Sequence, residues 1–254
     1  MAYSRQAHYI RTAFAAFALP ALFSVFFSLS SSSNSQPPPR IPSNVAWTPA
    51  TIKEASQGDA LRGLLIAKRC EHCHGSEAFS ASPDIPNLAA MDRLSLWKQM
   101  MDFASRKRNS AIMSPIAAPL SHADIADLAA YYSLMPTSAD PFDKRAFPRL
   151  PIPAAQSARA AQLIVLGDAQ RGLPPCQSCH GPVGFKNGAP SLSVQNEDYL
   201  FNQLRDFSTG ARSNDINMPM RTVAALLTEE DRHALAAYYG SGLGQLPAGT
   251  VLAK

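Results

Sequence analysis

Five short blocks of this 254-residue chain occur twice, in the same order and about 105 residues apart. Gly58-Asp59-Ala60-Leu61-Arg62-Gly63 answers to Gly167-Asp168-Ala169-Gln170-Arg171-Gly172, and Cys70-Glu71-His72-Cys73-His74 to Cys176-Gln177-Ser178-Cys179-His180. Pro86-Asn87-Leu88 then pairs with Pro190-Ser191-Leu192, and Gln99-Met100-Met101-Asp102-Phe103 with Gln203-Leu204-Arg205-Asp206-Phe207. Each half closes on Leu-Ala-Ala-Tyr-Tyr, at 128–132 and 235–239. A duplicated sequence of this kind has to fold as two copies of one small unit, here 51–135 and 157–243. Between them, 136–156 carries Pro136, Pro141, Pro148, Pro151 and Pro153 and reads as an extended, non-helical linker.

Each half reads as helix throughout, so the expected class is all-α. Glu54–Cys70 places Leu61, Leu64, Leu65 and Cys70 at helical spacing and delivers the first cysteine motif at its C-terminal end. Ala158–Gly172 is expected to do the same in the second half until Pro174-Pro175 stops it. Leu94–Phe103 and Tyr199–Phe207 form middle helices. Ser121-x-x-Asp124 and Thr228-x-x-Asp231 are capping-box starts for the closing helices, whose apolar faces hold Ile125, Leu128, Ala129 and Tyr132, or Leu235, Ala236 and Tyr239. No segment has the alternation of a strand.

All four cysteines lie in the repeated C-x-x-C-H pattern. Two thiols three residues apart on a helical turn can each add to a vinyl group on one edge of a porphyrin, and the next histidine then offers a ring nitrogen to the iron. A zinc ribbon wants its C-x-x-C pairs roughly 15 to 20 residues apart, whereas Cys176 follows Cys70 by 106. A thioredoxin-like motif wants βαβ surroundings that this helical pattern lacks. The expectation is two covalent haem c groups, held by Cys70 and Cys73 with His74, and by Cys176 and Cys179 with His180. A unit of about 85 residues makes a thin core, and an apolar macrocycle would supply interior.

The opposite face of each iron needs its own assignment, because a thioether there raises the potential and leaves no open position. Met113 lies 39 residues beyond His74 and seven before Leu120; Met220 lies 40 beyond His180 and seven before Leu227. That shared register favours Met113 and Met220, with Met218 the alternative in the second half, while Met91, Met100 and Met101 read as core filling. Trp97 and Phe201 occupy matching positions and read as core aromatics. Arg106-Lys107-Arg108 is a solvated face, a contact for haem propionates or a candidate docking patch for an acidic partner; His72, His122 and His233 read as surface residues.

The ends of the chain bear on location. Arg5, His8 and Arg11 precede an uncharged 18-residue apolar run, Thr12–Leu29, so 1–29 reads as a signal peptide or membrane anchor. Residues 30–50, with Ser30–Ser35 and Pro37-Pro38-Pro39, form a polar tether, and 244–254 a tail. The formal charge of +4 falls to about +2 without Arg5 and Arg11, too little to argue for nucleic acid. Thioether formation outside the inner membrane agrees with a periplasmic address.

Taken together, two C-x-x-C-H motifs, each with a following Pro-x-Leu, an Arg and Asn ahead of a methionine, and a closing Leu-Ala-Ala-Tyr-Tyr helix resemble the dihaem class I cytochromes of the cytochrome c-four type, over about 51–243. The resemblance implies two tandem helical domains, each built round one haem with His/Met iron, and an electron carrier rather than an enzyme. Its donor would be a quinol-oxidising complex or a dehydrogenase, its acceptor a terminal oxidase. It also implies that the carbonyls of Pro86 and Pro190 accept a hydrogen bond from the axial histidines. One departure stands out: Cys70 follows Gly63 by seven positions, but Cys176 follows Gly172 by four. The alternatives are a dihaem peroxidase with one open iron, or a cytochrome subunit that works only inside a dehydrogenase or oxidase complex.

Overall fold

The computed structural model describes residues 46–136, 152–181, 186–193 and 195–241. The stretch 1–29 read as signal peptide or anchor, most of the tether, 137–151 of the linker and the C-terminal tail lie outside the described residues. Among those described there are eleven helices and no strand, and no helix is long and apolar enough to cross a membrane.

In the first half, α1 (Pro49–Ser56) starts from a Thr48–Thr51 capping box with proline in its first turn. The single helix expected over Glu54–Cys70 is two. The chain breaks at Gly58, and Asp59 caps α2 (Ala60–Ala67) by accepting from the N–H groups of Leu61 and Arg62 at 2.8 and 3.0 Å. After the one-turn α3 (Glu71–His74) come α4 (Arg93–Ala104), α5 (Met113–Ala117) and the closing α6 (His122–Leu134), whose Ser121–Asp124 capping box is formed. α2 packs chiefly on α6, and glycine makes the crossing possible. A Cβ at Gly58 or Gly63 would land inside van der Waals contact of the main-chain carbonyls of Ala126 and Asp127. Asp127, 3% exposed, ties the crossing by accepting from Asp59 N–H at 2.6 Å and from Arg62 Nε at 2.7 Å. Ala55, Ala67, Leu96, Trp97, Ile125, Leu128 and Tyr132 form the core, with Met91, Met100 and Met101 packed against it.

The second half reaches a similar arrangement by a different local route. α7 (Ala154–Val165) begins inside the stretch read as linker and ends well before Gly172. The Gly-Asp-Ala-x-Arg-Gly block, a helix cap in the first half, is here a tight turn. Gly167 and Gly172 both take positive φ (70° and 73°), closed by an antiparallel bridge between Asp168 and Leu173. The helix that packs on the closing helix therefore precedes the block in this half and follows it in the other. Pro174-Pro175, only two and three positions beyond Gly172, leave no room for a helix after it. The repeated arginine keeps a buried partner nonetheless: Arg171, with Arg159, grips Asp231 at 2.7 Å, whereas Arg62 grips Asp127. α8 (Gln177–His180), α9 (Glu197–Thr209), α10 (Pro219–Leu226) and α11 (Glu229–Gly240) complete the half; α11 starts from the Thr228–Asp231 capping box.

Candidate functional site

α3 and α8 are single turns that set both cysteines and the histidine of each motif on one face. The N–H groups of Cys73 and His74 bond to the Cys70 carbonyl at 3.2 and 3.0 Å, and those of Cys179 and His180 to Cys176 at 3.3 and 3.0 Å. Each histidine ring is fixed from outside. His74 Nδ1 donates to the Pro86 carbonyl at 2.8 Å and His180 Nδ1 to that of Pro190 at 2.7 Å, which leaves Nε2 of both rings as the lone-pair nitrogen. Burial holds both imidazoles below their ordinary pKa, against the opposing pull of those bonds. Burial likewise pushes the Cys70 thiol up, and that of Cys176 to about 11.

In the second half these groups open onto a cavity of about 340 Å³. Cys176, Cys179, His180, Pro190, Leu192, Leu200, Phe207, Leu227, Leu235 and Met220 all line it. Met218 does not: it is the left-handed N-cap residue of α10, φ 63°, and 48% exposed. Met113 opens α5, half-buried, with its N–H bonded to Ser110 Oγ at 3.0 Å.

Part of the wall comes from the first half: Trp47, Met91, Lys98, Gln99 and Arg108. Arg108 is no free docking cation, because it donates to Gln99 Oε1, Tyr199 Oη and Gln203 Oε1 at 2.8, 3.0 and 2.7 Å. Arg212 reaches the same two glutamines at 2.9 and 2.8 Å. The guanidiniums lie over Phe103 and Phe207 at 4.6 and 4.4 Å, a matched pair. Burial, with the neighbouring charge of Arg108, lowers Arg212 to about 9. Lys98, 3% exposed, adds a third cation, ion-paired with Asp102 and donating to the Asn214 carbonyl at 2.6 Å.

These residues fit a covalent haem. Two thiols, an imidazole and a thioether face one apolar cavity, and a cationic end suits carboxylates. The Tyr239 hydroxyl, on the same wall, is buried without a protein partner. Elsewhere, His72 is exposed, His122 pairs with Glu54 at 2.8 Å, and His233 stacks on Phe201 at 4.0 Å. Trp97 is 1% exposed and Phe201 half-buried. Sequence reasoning passed over Gln99, Gln203 and Arg212, yet the signal was present: each arginine follows the phenylalanine of its Gln-x-x-Asp-Phe block by five positions.

No family model matches the chain. It is 35% identical over 180 residues to a cytochrome c4 of Thiocapsa roseopersicina, covering 69% of this chain and 88% of that one. It is 36% identical over 186 residues to a thiosulfate dehydrogenase electron acceptor of Stutzerimonas stutzeri, covering 72% and 82%. Among solved structures, reduced cytochrome c4 from Pseudomonas stutzeri superposes with a TM-score of 0.64 at 32% identity, over 72% of this chain and 98% of the other.

Proposed function

Because the chain belongs to the cytochrome c4 family of dihaem class I cytochromes, with two covalent haem c groups and electron transfer as its work, we propose how its residues divide that work. Cys70 and Cys73 attach the first haem and Cys176 and Cys179 the second. His74 with Met113, and His180 with Met220, would hold the two irons. Pro86 and Pro190 orient the histidines. The units are 51–135 and 157–243. When bound, the haem supplies an iron that cycles between ferric and ferrous.

The protein's part is to keep ligands still and water out. A ring fixed through Nδ1 and a methionine seated in an apolar wall change little between oxidation states, so little reorganisation opposes outer-sphere transfer. The thioether and the apolar walls hold the potential up. The observation that carries this reading is the presence of Cys176, Cys179, His180 and Met220 on one cavity. The setting we propose is a periplasmic respiratory chain, with the N-terminal segment as signal or anchor and a terminal oxidase as acceptor. A dehydrogenase is the favoured donor, since relatives in two organisms are named as thiosulfate dehydrogenase electron acceptors.

Visible spectra of the purified protein, oxidised, reduced, and reduced under carbon monoxide, test the ligation. Two low-spin haems per chain that ignore carbon monoxide are expected. A high-spin haem, or one that binds carbon monoxide, would mean an open iron and put the peroxidase reading first.

A further inference from the structure

The loops that carry Pro86 and Pro190 do not stand alone. Each is held by a residue from the other half.

Around Pro86 the grip is polar. Gln195 of the second half, 5% exposed, accepts the Asn87 N–H on Oε1 at 2.7 Å and donates from Nε2 to the Asn87 carbonyl at 3.0 Å. One carboxamide thus pairs with both main-chain groups of the residue after Pro86, as a neighbouring strand would. The residue before Pro86 is held too: Asn196 Nδ2 donates to the Ile85 carbonyl at 2.6 Å. The Pro86 carbonyl, 2.8 Å from His74 Nδ1, cannot swing without breaking these bonds.

Around Pro190 the grip is steric. Trp47 of the first half, just ahead of the α1 cap, lies against Gly188, where a Cβ would come within 2.7 Å of the indole Cζ2. Gly188 has φ +80° and stands two residues before Pro190, whose carbonyl lies 2.7 Å from His180 Nδ1. Trp97, its ring centroid 6.3 Å away, supports Trp47 from the first-half core.

We propose that Gln195 and Trp47 are crossed positioning residues: Gln195 holds the Pro86 carbonyl on His74, and Trp47 holds the Pro190 carbonyl on His180, so each half tunes the iron of the other. The inference rests on the reading of His74 and His180 as iron ligands. A firm Nδ1–H···O bond makes the imidazole a stronger donor and favours the ferric state. Loosening it raises that haem's potential and leaves the other where it was. The sequence hid this, because neither residue belongs to a repeated block.

The test uses the full-length, haem-loaded protein and a voltammetric titration that resolves two waves. Met113→His and Met220→His assign them, since losing the thioether lowers the wave of the haem concerned. Gln195→Met should then raise the first haem's wave alone and Trp47→Leu the second's alone, with Trp47→Phe restoring most of the shift. Trp47 is half-buried at the edge of the first-half core, so Trp47→Leu decides the matter even if Gln195→Met fails to load haem. A shift of the haem in the variant's own half, an equal shift of both, or no shift overturns the proposal. If instead the two histidine variants leave both waves and spectra unchanged, it is the ligation reading that has failed.

Discussion

Lys98→Met should be among the most damaging single changes in the protein, although it removes one charge and little volume. Lys98 is 3% exposed on α4, and its ammonium meets Asp102 one turn on and the Asn214 carbonyl at 2.6 Å, across the boundary between the halves. Asp102, fully buried, also accepts Asn214 Nδ2 at 2.7 Å. Burial draws the lysine pKa down against the pull of Asp102, a sign that the ammonium is held in a poorly solvated place. Methionine would remove one ion-pair partner of the buried carboxylate and one donor of the carbonyl. Removing one partner of a buried pair costs about 3–5 kcal/mol. With a urea slope of about 2 kcal/mol/M, the unfolding midpoint should fall by roughly 2 M. Lys98→Met/Asp102→Leu should recover more than half of the loss, because the buried carboxylate goes together with the lysine it was paired with. Urea titration of the haem-loaded protein, followed by Soret absorbance and tryptophan fluorescence, reads both. A Lys98→Met loss below about 1 kcal/mol, or a double variant weaker than the single, would refute the buried-pair argument.

Acid should unfold the second half through Asp231. Burial alone would raise its pKa, but hydrogen bonds from Arg159 and Arg171 outweigh burial and bring it from 3.8 to about 2. A pKa depressed by folding means stability that is present above pH 4 and lost as pH falls towards 2, roughly 2 kcal/mol; acid titration of an Asp231→Asn variant should lack that slope. Gly63→Ala would drive a methyl into the Asp127 carbonyl at the α2–α6 crossing, where backbone meets backbone. A loss of at least about 2 kcal/mol is expected, or roughly 4–8 °C in Tm by calorimetry. Met220→Ala should cost one haem its low-spin ferric spectrum with the thioethers intact, whereas Met218→Ala should leave the spectrum unchanged; the reverse result would exchange the two assignments.

The sequence made the chemistry legible because covalent attachment demands fixed spacing. A motif that must present two thiols and an imidazole to one porphyrin edge cannot vary, and its context repeats with it. Both closing helices were legible for a similar reason, since Ser121–Asp124 and Thr228–Asp231 are local devices whose partners lie three residues away. What escaped was whatever depends on distant partners. The helix over Glu54–Cys70 breaks at Gly58 because α6 needs the backbone there, 68 residues on. The end of α7 is set by a turn that two prolines require. The network around Arg108 escaped because its partners, Tyr199 and Gln203, lie more than 90 residues away.

The Gly-Asp-Ala-x-Arg-Gly block bears on how such chains can be recombined. A crossover placed in it, where five of six residues agree, would join a helix cap to a turn and send the arginine towards a carboxylate at the wrong position, Asp231 instead of Asp127. The one-turn motifs opening at Cys70 and Cys176 share the same backbone pairing and only begin after the helix has been laid down. Chimeras of the two halves should therefore be spliced at the cysteines, where sequence agreement and structural agreement coincide.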